Sequence, residues 1–181
     1  MKMQGLYKQR NNEMIVTKEE LLGFTGIEFE SGNNIAELFI GAAQNIVESY
    51  LGYEIESKEY NKHFALHSSN IIKVGVKNIT AVTEITIDGA PVENYYIDDD
   101  KIILNQPVIS DNIIATFTAG FSEDLPQIIK LTVLRIAALL QTESNNNIGI
   151  SGKSFMDGSR TFTNFTNFDR YLIACSKYKL I

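Results

Sequence analysis

The sequence predicts an α+β fold, mostly helical. The expected architecture is a small helical bundle with a strand-rich insert between its second and third main helices, then an extended C-terminal arm and a terminal helix. Three observations lead there. Apolar residues recur at helical spacing from 35 to 51, the period falls toward two from 53 to 121, and 126–143 is apolar on nearly every side of a helix. The organisation that follows is a flexible N-terminal segment over 1–14, a core over 15–143 that carries the insert 54–121, and a C-terminal arm and helix over 144–181.

The elements can be justified in order. Val16-Thr17-Lys18-Glu19-Glu20-Leu21 is a helix start: Thr17 caps, Glu20 completes a capping box, and Val16 staples to Leu21. Gly23 and Gly26 keep this helix short. After a loop containing Ser31, Gly32, Asn33 and Asn34, a second helix carries Ile35, Leu38, Phe39, Ala42, Ala43, Ile46, Val47, Tyr50 and Leu51. Gly52 stands where a left-handed C-terminal cap belongs. Strands are expected at 58–66, 71–76, 82–87, 95–97, 101–104 and 112–118, with turns at Asp88-Gly89 and Asp98-Asp99-Asp100. Pro126 then occupies a first helical position, where its fixed φ and missing N–H cost nothing. From Ile128 to Leu140 only Lys130, Thr132 and Arg135 are strongly polar, so this helix must be covered on several sides, by its own domain or by neighbouring subunits. Ile128, Leu131, Leu134 and Arg135 are its candidate lateral packing residues. The stretch 148–166 shows no helix period and reads as an arm, and a last helix is expected over 167–178.

Bulk properties narrow the class. A chain of 181 residues hides roughly 70% of its extended surface on folding and needs no disulfide. Cys175 is the only cysteine and reads as a small buried hydrophobe. No apolar run is long enough to span a membrane, and the N-terminus lacks the apolar region of a secretory signal. The chain is therefore expected to stay in the cytoplasm unless it leaves inside a larger particle. Charge is uneven: 1–10 and 151–181 carry +3 each against a whole-chain −6, which leaves −12 on the body between them. Two readings of the basic ends stay open, solubility and reach onto acidic surfaces of neighbours.

Sites of chemistry are scarce. Gly149–Ser154, GISGKS, has Asn147 where a phosphate-binding loop needs its first glycine, follows a helix rather than a strand, and precedes no helix start. His63 and His67 would lie on one strand face but too far apart for a common metal. Asp98, Asp99 and Asp100 read as a solvated hairpin tip. No nucleophile–base constellation is apparent, and neither a cofactor nor a metal is expected. An acidic body repels DNA, which suits a path along which DNA slides without sticking. Phe155, Phe162, Phe165, Phe168 and Tyr171, with Arg160 among them, are the residue types that interface centres prefer.

The element order, with Ile15–Leu21 at the start, Ile79–Ile85 and Asp88-Gly89 in the middle, Phe117-Thr118-Ala119-Gly120-Phe121 before Leu125-Pro126, and the GISGKSFMDGSRTF tail, resembles the head–tail connector (adaptor, or head completion) family of tailed bacteriophages. The resemblance covers most of 14–166. It implies a structural virion protein that forms a ring, usually dodecameric, beneath the portal protein. Such a ring extends the DNA channel, lets DNA pass without specific binding, and offers a platform to a neck, tail-completion or stopper protein. It implies assembly in the host cytoplasm, no membrane partner and no enzymatic activity. Portal contact is assigned on this basis to Lys153, Phe155, Arg160, Phe162, Phe165, Phe168 and Tyr171. The alternatives are another neck or tail-completion protein, and a small nucleotide-binding enzyme using GISGKS.

Overall fold

The computed structural model describes residues 14–28, 34–144, 152–155, 158–161 and 168–180; of 143–144 and of the two strands within 152–161 only the backbone is described. The N-terminal segment expected over 1–14 therefore lies outside the description except for Met14.

Helix α1 (Lys18–Thr25) starts as its sequence dictates. The Glu20 amide donates to Thr17 Oγ1 at 3.2 Å and the Thr17 amide donates to Glu20 Oε2 at 3.0 Å, which completes the capping box. Helix α2 (Ile35–Leu51) ends at Gly52, which is left-handed at φ +87°. It buries Ala36, Ile40, Ala43, Gln44, Val47 and Leu51. Helix α3 (Gln127–Ser144) packs against both, and its Ile129, Val133, Ile136 and Ala137 are fully buried. The predicted last helix is split. A short α4 (Asp169–Leu172) passes into a 3₁₀ helix, Ile173–Tyr178, and both lie on α3.

The expectation of a mostly helical protein is overturned. Strand and helix contribute about equally, 38% and 37%, so the fold is a balanced α+β one. The difference lies in two long strands. β1 (Lys58–Lys73) runs through Ser68-Ser69-Asn70, and β5 (Lys101–Ala119) runs through Asn105-Gln106-Pro107, where the sequence looked like loop. Those residues form bulges instead. The β1–β5 register shifts between Phe64 and Leu66, between His67 and Ser69, and between Ser69 and Ile71, so extra residues are absorbed without ending the ladder.

β2 (Ile79–Ile87), β3 (Ala90–Pro91) and β4 (Tyr95–Asp98) complete an antiparallel sheet of order β1-β5-β2-β3, with β4 on the far part of β5. Asp88-Gly89 forms the expected two-residue turn, both residues at positive φ. The bulged ribbon curls until the β4–β5 tip reaches the start of β2: the Ile79 amide donates to Asp99 O at 2.9 Å and the Val74 amide to Asp100 O at 3.0 Å. Leu66, Ile72, Val74, Ile85, Leu104, Ile113 and Phe117 fill the space inside. A separate hairpin, β6 (Gly152–Phe155) with β7 (Gly158–Thr161), occupies the stretch expected to be an arm.

Helices pack on helices and strands on strands, and two chain segments join the halves side by side. Glu56 bridges Phe121 in parallel, the Ser57 amide donates to Phe121 O at 3.0 Å, and the Phe121 amide donates to Ile55 O at 2.8 Å. Gly120 makes this neck possible. Its φ is +108°, and a Cβ there would stand 2.4 Å from the Glu56 carbonyl oxygen. Gly120→Ala is expected to cost about 3 kcal/mol through backbone strain plus this collision. Gly89→Ala, at φ +81° with nothing within 4 Å of its Cβ, carries strain alone and is expected to cost about 1–2 kcal/mol. Urea unfolding of the two variants checks the order, and equal losses contradict the role given to the neck.

Candidate assembly surfaces

Of the constellations that could suggest chemistry, the aspartate turn and the lone cysteine are held by internal contacts. The Asp98–Asp100 turn is docked, not simply solvated. Lys77 Nζ donates to Asp99 Oδ2 at 2.7 Å and lies 3.5 Å from Asp100 Oδ1, while the Asn78 amide donates to Asp99 Oδ1 at 3.1 Å. Asn78, itself at φ +59°, extends its Nδ2 to Gly120 O at 2.9 Å and Asp124 Oδ2 at 3.0 Å. The turn is thereby tied to the neck and to the start of α3. His63 and His67 are both exposed on β1, and His67 lies 3.7 Å from Asp111. Among the described residues no cluster of three metal-ligating side chains occurs. Cys175 is buried, its thiol 3.3 Å from Thr132 Oγ1, and burial pushes its pKa up.

The lateral packing residues of α3 separate into two groups. Ile128 is half-buried against the core, and its backbone carbonyl lies 3.8 Å from Cys175 Sγ on the 3₁₀ helix. Leu131 and Leu134 face outward into a cleft of about 530 Å³ that Glu20, Gly23 and Phe24 of α1 and Gln127 and Lys130 of α3 complete. Lys130 Nζ donates to Glu20 Oε1 at 2.5 Å across one end, and this bond is the main reason the Glu20 carboxyl titrates below its usual range. Phe24 forms the outer wall and is 48% exposed. Arg135 is exposed further along α3, its guanidinium 6.0 Å from the Tyr171 ring centre. Arg170 lies over the same ring at 4.4 Å and hydrogen-bonds its hydroxyl. Among the described residues neither arginine is in an ion pair.

The residues assigned to portal contact are only partly described. Phe168 is half-buried against the core, and Tyr171 is half-buried with Arg135 and Arg170 near its ring. Lys153 and Phe155 lie on β6 and Arg160 on β7, with Lys153 paired to Arg160 and Phe155 to Gly158 in the backbone register. Phe162 and Phe165 lie outside the described residues, as does the glycine that opens GISGKS. Beyond Tyr171 the chain straps over the neck. Tyr53 Oη donates to Tyr178 O at 3.0 Å, Tyr178 meets Phe121 edge to face at 6.3 Å, and the Leu180 amide donates to Leu51 O at 2.9 Å.

One surface escaped the sequence reading. Leu38, counted with the apolar face of α2, points outward and is 66% exposed. Ala42 and Asn45 continue its stripe at helical spacing. The signal was present: eleven apolar positions on a 17-residue helix are more than one buried stripe needs.

No protein-family model matches the chain, and no curated protein sequence matches it. Its fold does match solved structures. A chain in the neck of an empty gene transfer agent particle, computed with C6 symmetry, aligns at a TM-score of 0.61 and 16% identity over 90% of this chain and 88% of that one. A chain in the neck of the native particle, computed with C12 symmetry, aligns at 0.57 and 13% identity over 90% and 87%. A chain of the native virion aligns at 0.56 and 16% identity over 88% and 82%. At these identities the fold is shared, strands and helices together.

The Asp99 contact gives a pH dependence with a definite sign. Burial raises the Asp99 carboxyl, but the Lys77 ammonium and the Asn78 amide outweigh it and leave it below its ordinary value. Its stabilising contribution is therefore complete above the unfolded value of about 3.9 and is lost as pH falls through the lower folded one. Lys77 is raised, chiefly by its bond to Asp99, so its share is complete below about 10.4 and is lost as pH rises through the folded value. Asp99→Asn is expected to flatten the acid limb of the unfolding midpoint plotted against pH, leaving the shares of Glu20 and Asp124. An unchanged limb contradicts the assignment.

Proposed function

We propose that this protein is a head–tail connector of a tailed phage or phage-like particle. It forms a ring, dodecameric in the simplest case, beneath the portal protein. The ring extends the DNA channel and presents a platform to a neck, tail-completion or stopper protein. The observation that carries this reading is the fold shared, over nearly the whole chain, with chains from the necks of gene transfer agent particles computed with C6 and C12 symmetry. The chemistry agrees. Residues 11–150 carry a net −12, which keeps passing DNA from adhering. The triple aspartate and the lone thiol are consumed by internal contacts.

Portal contact falls in this reading to the β6–β7 hairpin and the segment after it, through Lys153, Phe155, Arg160, Phe162 and Phe165. Phe168, packed on the core, and Tyr171, beside Arg135 of α3, anchor that segment onto the helices. The variant Lys153→Ala, Phe155→Ala, Arg160→Ala is expected to keep the wild-type unfolding midpoint and to lose portal association by about tenfold or more, as interface anchors do. Sedimentation with isolated portal rings checks the association, and electron microscopy of the mixture checks for a connector ring. Wild-type-like association of the variant removes the hairpin from the contact. Nucleotide turnover by the purified chain contradicts the whole reading.

A further inference from the structure

Among the described residues, the exposed apolar side chains of α1, α2 and α3 form two stripes, while others such as Tyr96 and Ile109 on the sheet and Ile173 on the 3₁₀ helix lie elsewhere. One stripe is the α1–α3 cleft, floored by Leu131 and Leu134 and walled by Phe24. The other is the outward face of α2, with Leu38 at its centre and the small residues Gly41 and Ala42 beside it. α2 and α3 bury their facing sides against each other, Ile40, Ala43 and Val47 on one and Ile129, Val133 and Ile136 on the other. Their outward stripes therefore point away from the common seam on opposite sides of the helical layer.

We propose that the α1–α3 cleft of one copy receives the outward stripe of α2 from the next copy, Leu38 entering between Phe24 and Leu134. The proposal rests on the ring reading above and names the surfaces that build the ring. Charge selects this occupant. α2 carries Glu37 and Glu48 and no basic residue, and Glu37 is exposed. One turn beyond Leu131 on the same face of α3, past the cleft's lining, stands the exposed Arg135, with Arg170 near it over the Tyr171 ring and, among the described residues, neither in an ion pair. The cleft's own charges, Glu20 and Lys130, are spent on each other, so an acidic helix with a protruding leucine meets an apolar cleft whose next turn carries Arg135. The small residues beside Leu38 let that helix approach closely. Two unlike patches on opposite sides of one layer make a heterologous contact, the type from which closed rings are built.

Cysteines test the pairing, in a Cys175→Ser background and with a short bismaleimide, in rings assembled at high protein concentration or on tailless particles. A mixture of Leu38→Cys and Leu134→Cys molecules is expected to give a cross-linked dimer that neither variant gives alone. The molecule carrying both is expected to give a ladder that ends at the ring number. Glu37→Arg is expected to lower ring yield about tenfold, and adding Arg135→Glu to restore it to within about twofold, because like charges face each other in the single variant and opposite ones in the double. Rings that form without the mixed product overturn the pairing and leave the ring reading standing. So does a Leu38→Cys product with itself, a product within one chain, or a product with the portal. Wild-type protein that never forms rings, even on tailless particles, overturns the ring reading and this pairing with it.

Discussion

The structure depends on the approach of Gly120 to the carbonyl of Glu56. The chain enters its sheet at Ser57 and leaves it at Ala119, and both crossings occur at this one point. A side chain at position 120 would separate them, since its first carbon would sit 2.4 Å from the Glu56 oxygen, well inside van der Waals contact distance. With only hydrogen there, the two segments bond to each other, and their directions set the angle between sheet and helices. Two further pieces brace that angle from outside. Asn78 ties the end of β5 to the acidic turn before α3, and the ring of Tyr178 closes over Phe121. A hinge with one covalent crossing could swing. Two hydrogen-bonded crossings with a brace on each side cannot swing without breaking several buried contacts at once.

The helical half explains why α3 is apolar all round. α1 and α2 cover two of its sides, and the C-terminal 3₁₀ helix covers a third, where Cys175 fits against Thr132. Most of the surface that suggested neighbouring subunits is hidden within the chain, and what is left open is the narrower strip at Leu131 and Leu134. The same docking bears on the basic C-terminal end. Arg170, Lys177 and Lys179 lie over Tyr171, Tyr178 and Tyr50, at 4.4, 4.6 and 4.9 Å from the ring centres. Cations in this position stay hydrated on one side while being held on the other. The end is thus a fixed basic patch on an acidic body.

Features with local causes were legible in the sequence. Thr17 and Glu20 cap α1 because the partners are three residues apart, and Gly52 ends α2 because a left-handed cap needs no distant partner. Asp88-Gly89 turns the chain for the same reason. What stayed hidden has distant causes. Ser68 and Asn105-Gln106-Pro107 have turn composition, yet the ladder on either side of them is strong enough to convert the turns into bulges, so four of the six expected strands merged into two long ones, and the two-residue β3 was added. That is also why the helical share was overestimated. Asn78 and Asp99 were ordinary loop residues until the curl of the sheet brought them together across 21 positions. Of the candidate surfaces, Leu131, Leu134 and Arg135 were legible because α3 is too apolar for one stripe. Leu38 was not, since periodicity places a residue on a face and cannot say which of two apolar faces is covered.

Ring closure places a demand that this architecture is suited to meet. A heterologous contact closes only when the rotation from copy to copy divides a full turn, and a small error at each joint accumulates around the circle. In the proposed ring both contact stripes lie on the helical layer, one on α2 and one on α3 with α1. The rotation between successive copies is then set by how α2 and α3 pack, through Ile40, Ala43 and Val47 against Ile129, Val133 and Ile136, all fully buried. Close-packed interiors resist deformation, so this seam holds the angle better than a contact built on loops. The sheet and the β6–β7 hairpin lie outside that seam, and changes in them leave the rotation unaltered. Parts that must fit different neighbours above and below the proposed ring can therefore diverge while its ring number is kept.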